Sequence, residues 1–165
     1  MRRVLLPALV LATLSVVAGC AGNSVERAAP GAVTSSVRTS ADGTDLSVRG
    51  RNVDLRLTQV AVRLGPSGPR LDLTVDNEGP VTEHLALASV DGTQATLHGG
   101  ATADTGLSPA GVRIAPAAKV AFGTANAPSA TLPTTATLKA GEDVPVMLQF
   151  GIAGMIRLQV PVLAR

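Results

Sequence analysis

From Leu46 onward, apolar residues recur at every second position. That is the period of a strand with one buried face, not the 3.6 of a helix. Val53, Leu55 and Leu57 alternate with Asp54 and Arg56, and then the phase changes, so that Val60, Val62 and Leu64 carry the pattern on. A change of phase within one strand predicts a β-bulge near Thr58 and Gln59, where an extra residue turns the following side chains over. Leu71, Leu73 and Val75 alternate with Asp72, Thr74 and Asp76, between the turn signals Gly65-Pro66-Ser67-Gly68-Pro69 and Asn77-Glu78-Gly79-Pro80. Leu85 and Leu87 lead a short strand, Asp91-Gly92 predicts a tight hairpin turn, and residues 95–97 return. Residues 99–111 read as a polar loop. Residues 112–114 and 119–122 read as short strands flanking Pro116, and 123–135 as a second loop rich in Ala, Pro and Thr. The clearest pattern is the last. Val144, Val146, Leu148 and Phe150 oppose Pro145, Met147 and Gln149; after residues 151–154, Ile156, Leu158, Val160 and Val162 oppose Met155, Arg157, Gln159 and Pro161. Short strands spaced by turns, with no amphipathic helix, predict an all-β, immunoglobulin-like sandwich.

The N-terminus breaks this pattern. Arg2 and Arg3 precede an apolar run over residues 4–17, interrupted only by Pro7, Thr13 and Ser15. The run is too short to span a bilayer as a helix, which takes about 20 apolar residues. It fits an export signal. Val17-Ala18-Gly19-Cys20 resembles the lipobox of bacterial lipoproteins, in which the cysteine thiol is acylated and the chain is cut just before it. The expected product loses residues 1–19, carries diacylglyceryl and fatty acyl groups such as palmitate on Cys20, and is anchored to the outer face of the cell membrane. Two or more acyl chains hold a protein stably where one does not. Residues 20–43, rich in Ala, Gly, Ser and Thr, read as the lipidated cysteine and a flexible tether; residues 44–165 read as the folded domain.

Composition removes several function classes. The chain carries 14 Lys+Arg against 12 Asp+Glu; losing Arg2 and Arg3 with the signal leaves it formally neutral. It has two Phe and no Trp or Tyr. Nucleic-acid recognition, which wants a basic face and stacking aromatics, is not expected. Cys20 is the only cysteine, so disulfides and thiolate metal sites are not expected either. Arg outnumbers Lys, and Ala and Gly abound, the habit of a GC-rich genome such as an actinobacterial one. Gly106-Leu107-Ser108-Pro109-Ala110-Gly111 lacks the spacing of a nucleophile elbow and no helix follows it. Nothing places a base beside a nucleophile, so no catalytic residue is assigned and no enzyme is expected.

The terminal hairpin, with Gly141-Glu142-Asp143-Val144-Pro145-Val146, Ala153-Gly154 and Val160-Pro161-Val162, resembles the end of the PCu(A)C periplasmic copper chaperone family. Leu73-Thr74-Val75-Asp76-Asn77-Glu78-Gly79 looks like that family's strand ending in Asn-x-Gly. Glu83-His84-Leu85 stands where the family has Asp-Arg-Leu, and Leu97-His98 matches its Leu-His. The likeness covers residues 44–162 and is greatest to the mycobacterial LpqE-type lipoproteins within the family. It implies a cupredoxin-like Greek-key β-sandwich. It also implies a Cu(I) site of two His and two Met, since soft thioethers select Cu(I) and imidazole suits copper. His98 matches the first histidine. No Met stands near residues 107–111, where the first is due, and the family's His-x-Met aligns with Pro128 and Ala130. Met147 and Met155 fall on the terminal hairpin, and His84 replaces an arginine.

The expectation is therefore a lipid-anchored cell-envelope lipoprotein that keeps the copper chaperone's scaffold and lacks most of its ligands. It would be a non-enzymatic accessory module for an unidentified envelope protein, with no metal or cofactor residue assigned. The alternative is an extracytoplasmic copper chaperone with weak or atypical Cu(I) binding through His98. A third reading is a carrier of an apolar ligand between the sheets.

Overall fold

The computed structural model describes residues 34–164. The signal segment 1–19, Cys20 and the chain to residue 33 lie outside the described residues, as does Arg165. The chain begins with a hairpin of β1 (Thr34–Ser40) and β2 (Gly43–Gly50). β2 pairs with β3 (Val53–Gly65), and β3 with β4 (Gly68–Asn77), all antiparallel. The expected tether, drawn to residue 43, overlaps β1. Every residue of β1 is exposed, so this strand buries nothing and writes no hydrophobic period into the sequence.

The bulge lies where the phase change puts it. The register between β3 and β4 slips between Thr58 and Ala61, and Gln59 takes φ +55°. Leu55 and Leu57 before it and Val60 and Val62 after it are all buried in the same core. The Gln59 N–H, freed from the ladder, donates to Asp45 Oδ1 at 2.9 Å. Gly43 (φ +147°) passes so close that a Cβ there would lie 2.8 Å from the Gln59 carbonyl carbon, so only glycine fits.

The second sheet is built on β5 (Glu83–Val90). Asp91 (φ +47°) and Gly92 (φ +74°) both take positive φ, as a two-residue hairpin turn of this kind demands, and β6 (Thr93–Gln94) returns along β5. Instead of continuing there, β7 (Thr96–His98) crosses to the first sheet and pairs with β11 (Ser129–Thr131). Between them come a 3₁₀ turn (Ala103–Thr105), β8 (Leu107–Ser108) and β9 (Gly111–Ile114), the last pairing with β5. β10 (Ala118–Phe122) pairs with β4. The two strands flanking Pro116 thus belong to different sheets, with the proline at the corner.

β12 (Asp143–Phe150) and β13 (Gly154–Leu163) form the terminal hairpin. Gln149 faces Leu87 and the next residue, Phe150, faces Leu85, which leaves Ala86 as an extra residue on β5. That irregularity corrects one reading. Leu85 and Ala88 enter the core, whereas Leu87 turns out and is only half-buried. β13 pairs with β12 as far as Pro161 and then runs parallel to β3 at Val62 and Arg63. Proline has no N–H to give a ladder, and it occupies the point where the strand leaves one sheet for the other. β13 thereby joins the two sheets into the expected all-β, cupredoxin-like Greek-key sandwich, closed in the manner of a barrel.

The space between the sheets holds one contiguous apolar cluster, with Phe150, Leu55, Leu57, Leu71, Leu85, Ile114 and Leu148 among its largest members. Two buried polar side chains pin the loops at its rim. Asn77 accepts the Gly79 N–H through Oδ1 (3.1 Å) and donates through Nδ2 to the carbonyls of Val81, Ile114 and Ala115 (2.8–3.2 Å). This accounts for the Asn-x-Gly at the end of β4. Glu83 accepts the N–H groups of His84, Ile152 and Ala153 (2.8–2.9 Å), holding the β12–β13 turn onto β5.

Candidate functional site

His98 ends β7, and β11 lies beside it. The register sets Ser129 opposite His98, Ala130 opposite Leu97 and Thr131 opposite Thr96. Side chains alternate along a strand, so His98, Thr96, Ser129 and Thr131 share one face. Leu97 and Ala130 share the other, where Ala130 is fully buried and Leu97 packs on the core. The positions matched to the family's His-x-Met therefore do not join His98. Ala130 faces inward, and Pro128, just before β11, is buried. What faces His98 is hydroxyl-bearing. Thr131 Oγ1 lies 3.4 Å from His98 Nε2, and the imidazole is exposed.

The rest of this face is polar. Thr131 pairs with Arg70, and Arg70 with Arg63. Two cations directly opposite on neighbouring strands repel. Asp72 offsets this, with Oδ1 2.8 Å from Arg70 Nε and Oδ2 2.9 Å from Arg63 Nε. On the other side of β7, Gly99 packs so closely on Leu107 that a Cβ would lie 2.3 Å from its backbone nitrogen. Leu107 thus stands next to the histidine strand, in the region where the family resemblance implies a methionine, and presents no donor atom.

The other sequence candidates lie elsewhere. His84 is half-buried on β5, in the other sheet, opposite Arg113. Met147 and Met155 sit on β12 and β13, Met147 half-buried and Met155 exposed. All three lie on β5, β12 and β13, in the sheet that does not contain the β7–β11 pair of His98. Among the described residues no three of His, Cys, Asp and Glu gather in a group able to hold a metal ion. Far from this edge, Arg49 hydrogen-bonds Asp54 (3.0 Å), which with the charges of Asp54 and Glu78 raises the guanidinium above its ordinary pKa. Two features escaped the sequence reading. β11 is a three-residue strand burying only Ala130, and Glu83 looks in sequence like any surface carboxylate.

Residues 48–162 match the LpqE-like lipoprotein family, which covers most of the folded domain. The chain belongs to that family. No curated protein matches it in sequence. Two solved structures are similar to this LpqE-like chain: the apo PCuAC domain from PmoF1 and the copper-bound PCuAC domain from PmoF2. The first is 20% identical with a TM-score of 0.53, covering 67% of this chain and 94% of that one. The second is 17% identical with a TM-score of 0.53, covering 67% and 93%. The likeness establishes the fold, and it bears out the PCu(A)C resemblance carried by the terminal hairpin and the Asn-x-Gly turn.

Proposed function

We propose that this LpqE-like protein is an exported lipoprotein, anchored through Cys20 outside the cytoplasm, whose copper-chaperone scaffold works as a non-enzymatic interaction module. The observation that carries this reading is the β7–β11 register. It surrounds the one family-like ligand, His98, with the hydroxyls of Ser129 and Thr131 and turns residue 130 into the core. Hydroxyl oxygens are hard donors and do not select Cu(I) as thioethers do. The test is a Cu(I) titration of the mature protein against a competing chelator. The chelator is expected to keep the copper. Tight one-to-one binding that disappears in His98→Ala overturns the reading.

A second reading is favoured by the exposure of His98 itself and by the copper held in the PCuAC domain from PmoF2. Here the chain passes Cu(I) as weakly held cargo, with His98 as one ligand and a partner supplying the soft donors. Copper bound only when such a partner is present supports it. The carrier reading has no such observation behind it; the space between the sheets holds a contiguous apolar cluster.

A further inference from the structure

Four large hydrophobic side chains are exposed among the described residues: Val37 (55%), Leu107 (54%), Ile152 (49%) and Met155 (54%). Isolated examples are ordinary on any surface, but a cluster asks for a partner. Three of these four gather at one end. Val37 on β1 and Met155 on β13 line the same groove, with Ser35, Ala153, Ile156 and Arg157. Ile152 precedes Ala153 in the β12–β13 turn, which Glu83 holds in place through the N–H groups of Ile152 and Ala153. The hydrophobic tip is therefore fixed rather than loose. Arg157 is exposed and has no ion pair among the described residues, and no acidic side chain lines the groove.

We infer that this groove and turn rest on the lipid surface, with Val37, Ile152 and Met155 entering the interface and Arg157 meeting anionic headgroups. The inference rests on the proposed acylation of Cys20. β1 is the first strand among the described residues and begins about 14 residues after that cysteine, and a chain of that length reaches no further than roughly 50 Å even when fully extended. The membrane is thus the surface this end of the domain meets most often. Tethering makes the contact intramolecular, at an effective concentration of about a millimolar, so a patch too small to bring a free protein to a bilayer is enough. The apolar side chains with a neighbouring arginine are the chemistry of an interfacial contact with anionic lipid. The consequence is orientation. β1 and β13 lie on one side of β3, while β4, β11 and β7 lie on the other. Docking by the former holds His98 and Leu107 away from the bilayer, toward a partner.

The test uses the mature acylated protein in phosphatidylglycerol–phosphatidylcholine vesicles that carry a spin label near the headgroups. Intact mass first establishes the acyl groups. Methyl signals of Val37, Ile152 and Met155 are expected to be lost to paramagnetic broadening while those of Leu97 and Leu107 persist. The V37S/M155S variant, altered only at exposed positions and checked by its thermal melt, is expected to lose that selectivity. Acylated protein that broadens equally at both ends, or not at all at the groove, overturns the docking alone. An unacylated Cys20 overturns the anchor and the docking with it.

Discussion

The rim that carries Asn77 and Glu83 and the edge that carries His98 make opposite use of polar atoms. At the rim, one buried amide and one buried carboxylate together meet four N–H groups and three carbonyls of neighbouring segments. At the edge, a single exposed imidazole has one long contact, to a threonine hydroxyl. A side chain held from all sides defines a fold, and one left open serves whatever comes to it. In this chain the rim is held by the Asn-x-Gly asparagine and by Glu83, and the strand face at His98 is lined by the hydroxyl-bearing residues Thr96, Ser129 and Thr131.

Breaking the rim has the largest effect. Glu83→Ala removes the buried acceptor of three part-buried backbone donors. Each such group left unmet costs about 1–3 kcal/mol, so a loss of roughly 3–5 kcal/mol is expected in urea unfolding. Glu83→Gln keeps one carbonyl oxygen but sets an amide NH₂ against a backbone donor, and it recovers only part of that loss. Asn77→Asp comes next. It brings a carboxylate against the carbonyls of Val81, Ile114 and Ala115 in place of the Nδ2 donor, and about 2–3 kcal/mol is expected to go, because the acceptors lose their partner in a buried site. A change below about 0.5 kcal/mol in either variant, the range of ordinary surface substitutions, would remove the contrast with the edge.

The sandwich was legible because its strands bury one face each. Leu71, Leu73 and Val75, the β12–β13 hairpin and even the bulge at Gln59 declare themselves through period two and its change of phase. β1 and β11 did not, since one buries no side chain and the other buries only Ala130. Leu87 misled because the extra residue, Ala86, shows itself only when β5 is paired with β12. At the candidate site, the sequence could identify His98 and the missing methionines. It could not say that residue 130 faces away from His98, because that depends on the pairing of β11 with β7. Glu83 was invisible for a similar reason: its three donors lie next to it and some 70 residues downstream.

Restoring the thioether sharpens the comparison at the edge itself. Ala130→Met puts a long side chain into a filled core and is expected to cost about 1–3 kcal/mol without any gain in Cu(I) affinity. Thr131→Met, on the face of His98, is expected to cost within about 0.5 kcal/mol and to strengthen Cu(I) binding in the chelator competition. Affinity appearing with the first and not the second would mean that the face assignment is reversed.

The smallest effect belongs to His98→Ala. His98 is exposed, its one side-chain hydrogen-bonding approach among the described residues is 3.4 Å to Thr131, and it lies on the strand face opposite the core residues Leu97 and Ala130. Unfolding free energy is expected to move by no more than about 0.5 kcal/mol, as for other surface changes without a buried partner. That near-silence makes the variant useful. Any large loss it causes in copper retention, or in capture of an envelope partner by the acylated protein, must then come from the imidazole as a ligand or contact and not from a weakened fold. Of the two readings, the interaction module predicts that copper retention is unaltered, and the weak chaperone predicts that it falls only when the partner supplying the soft donors is present.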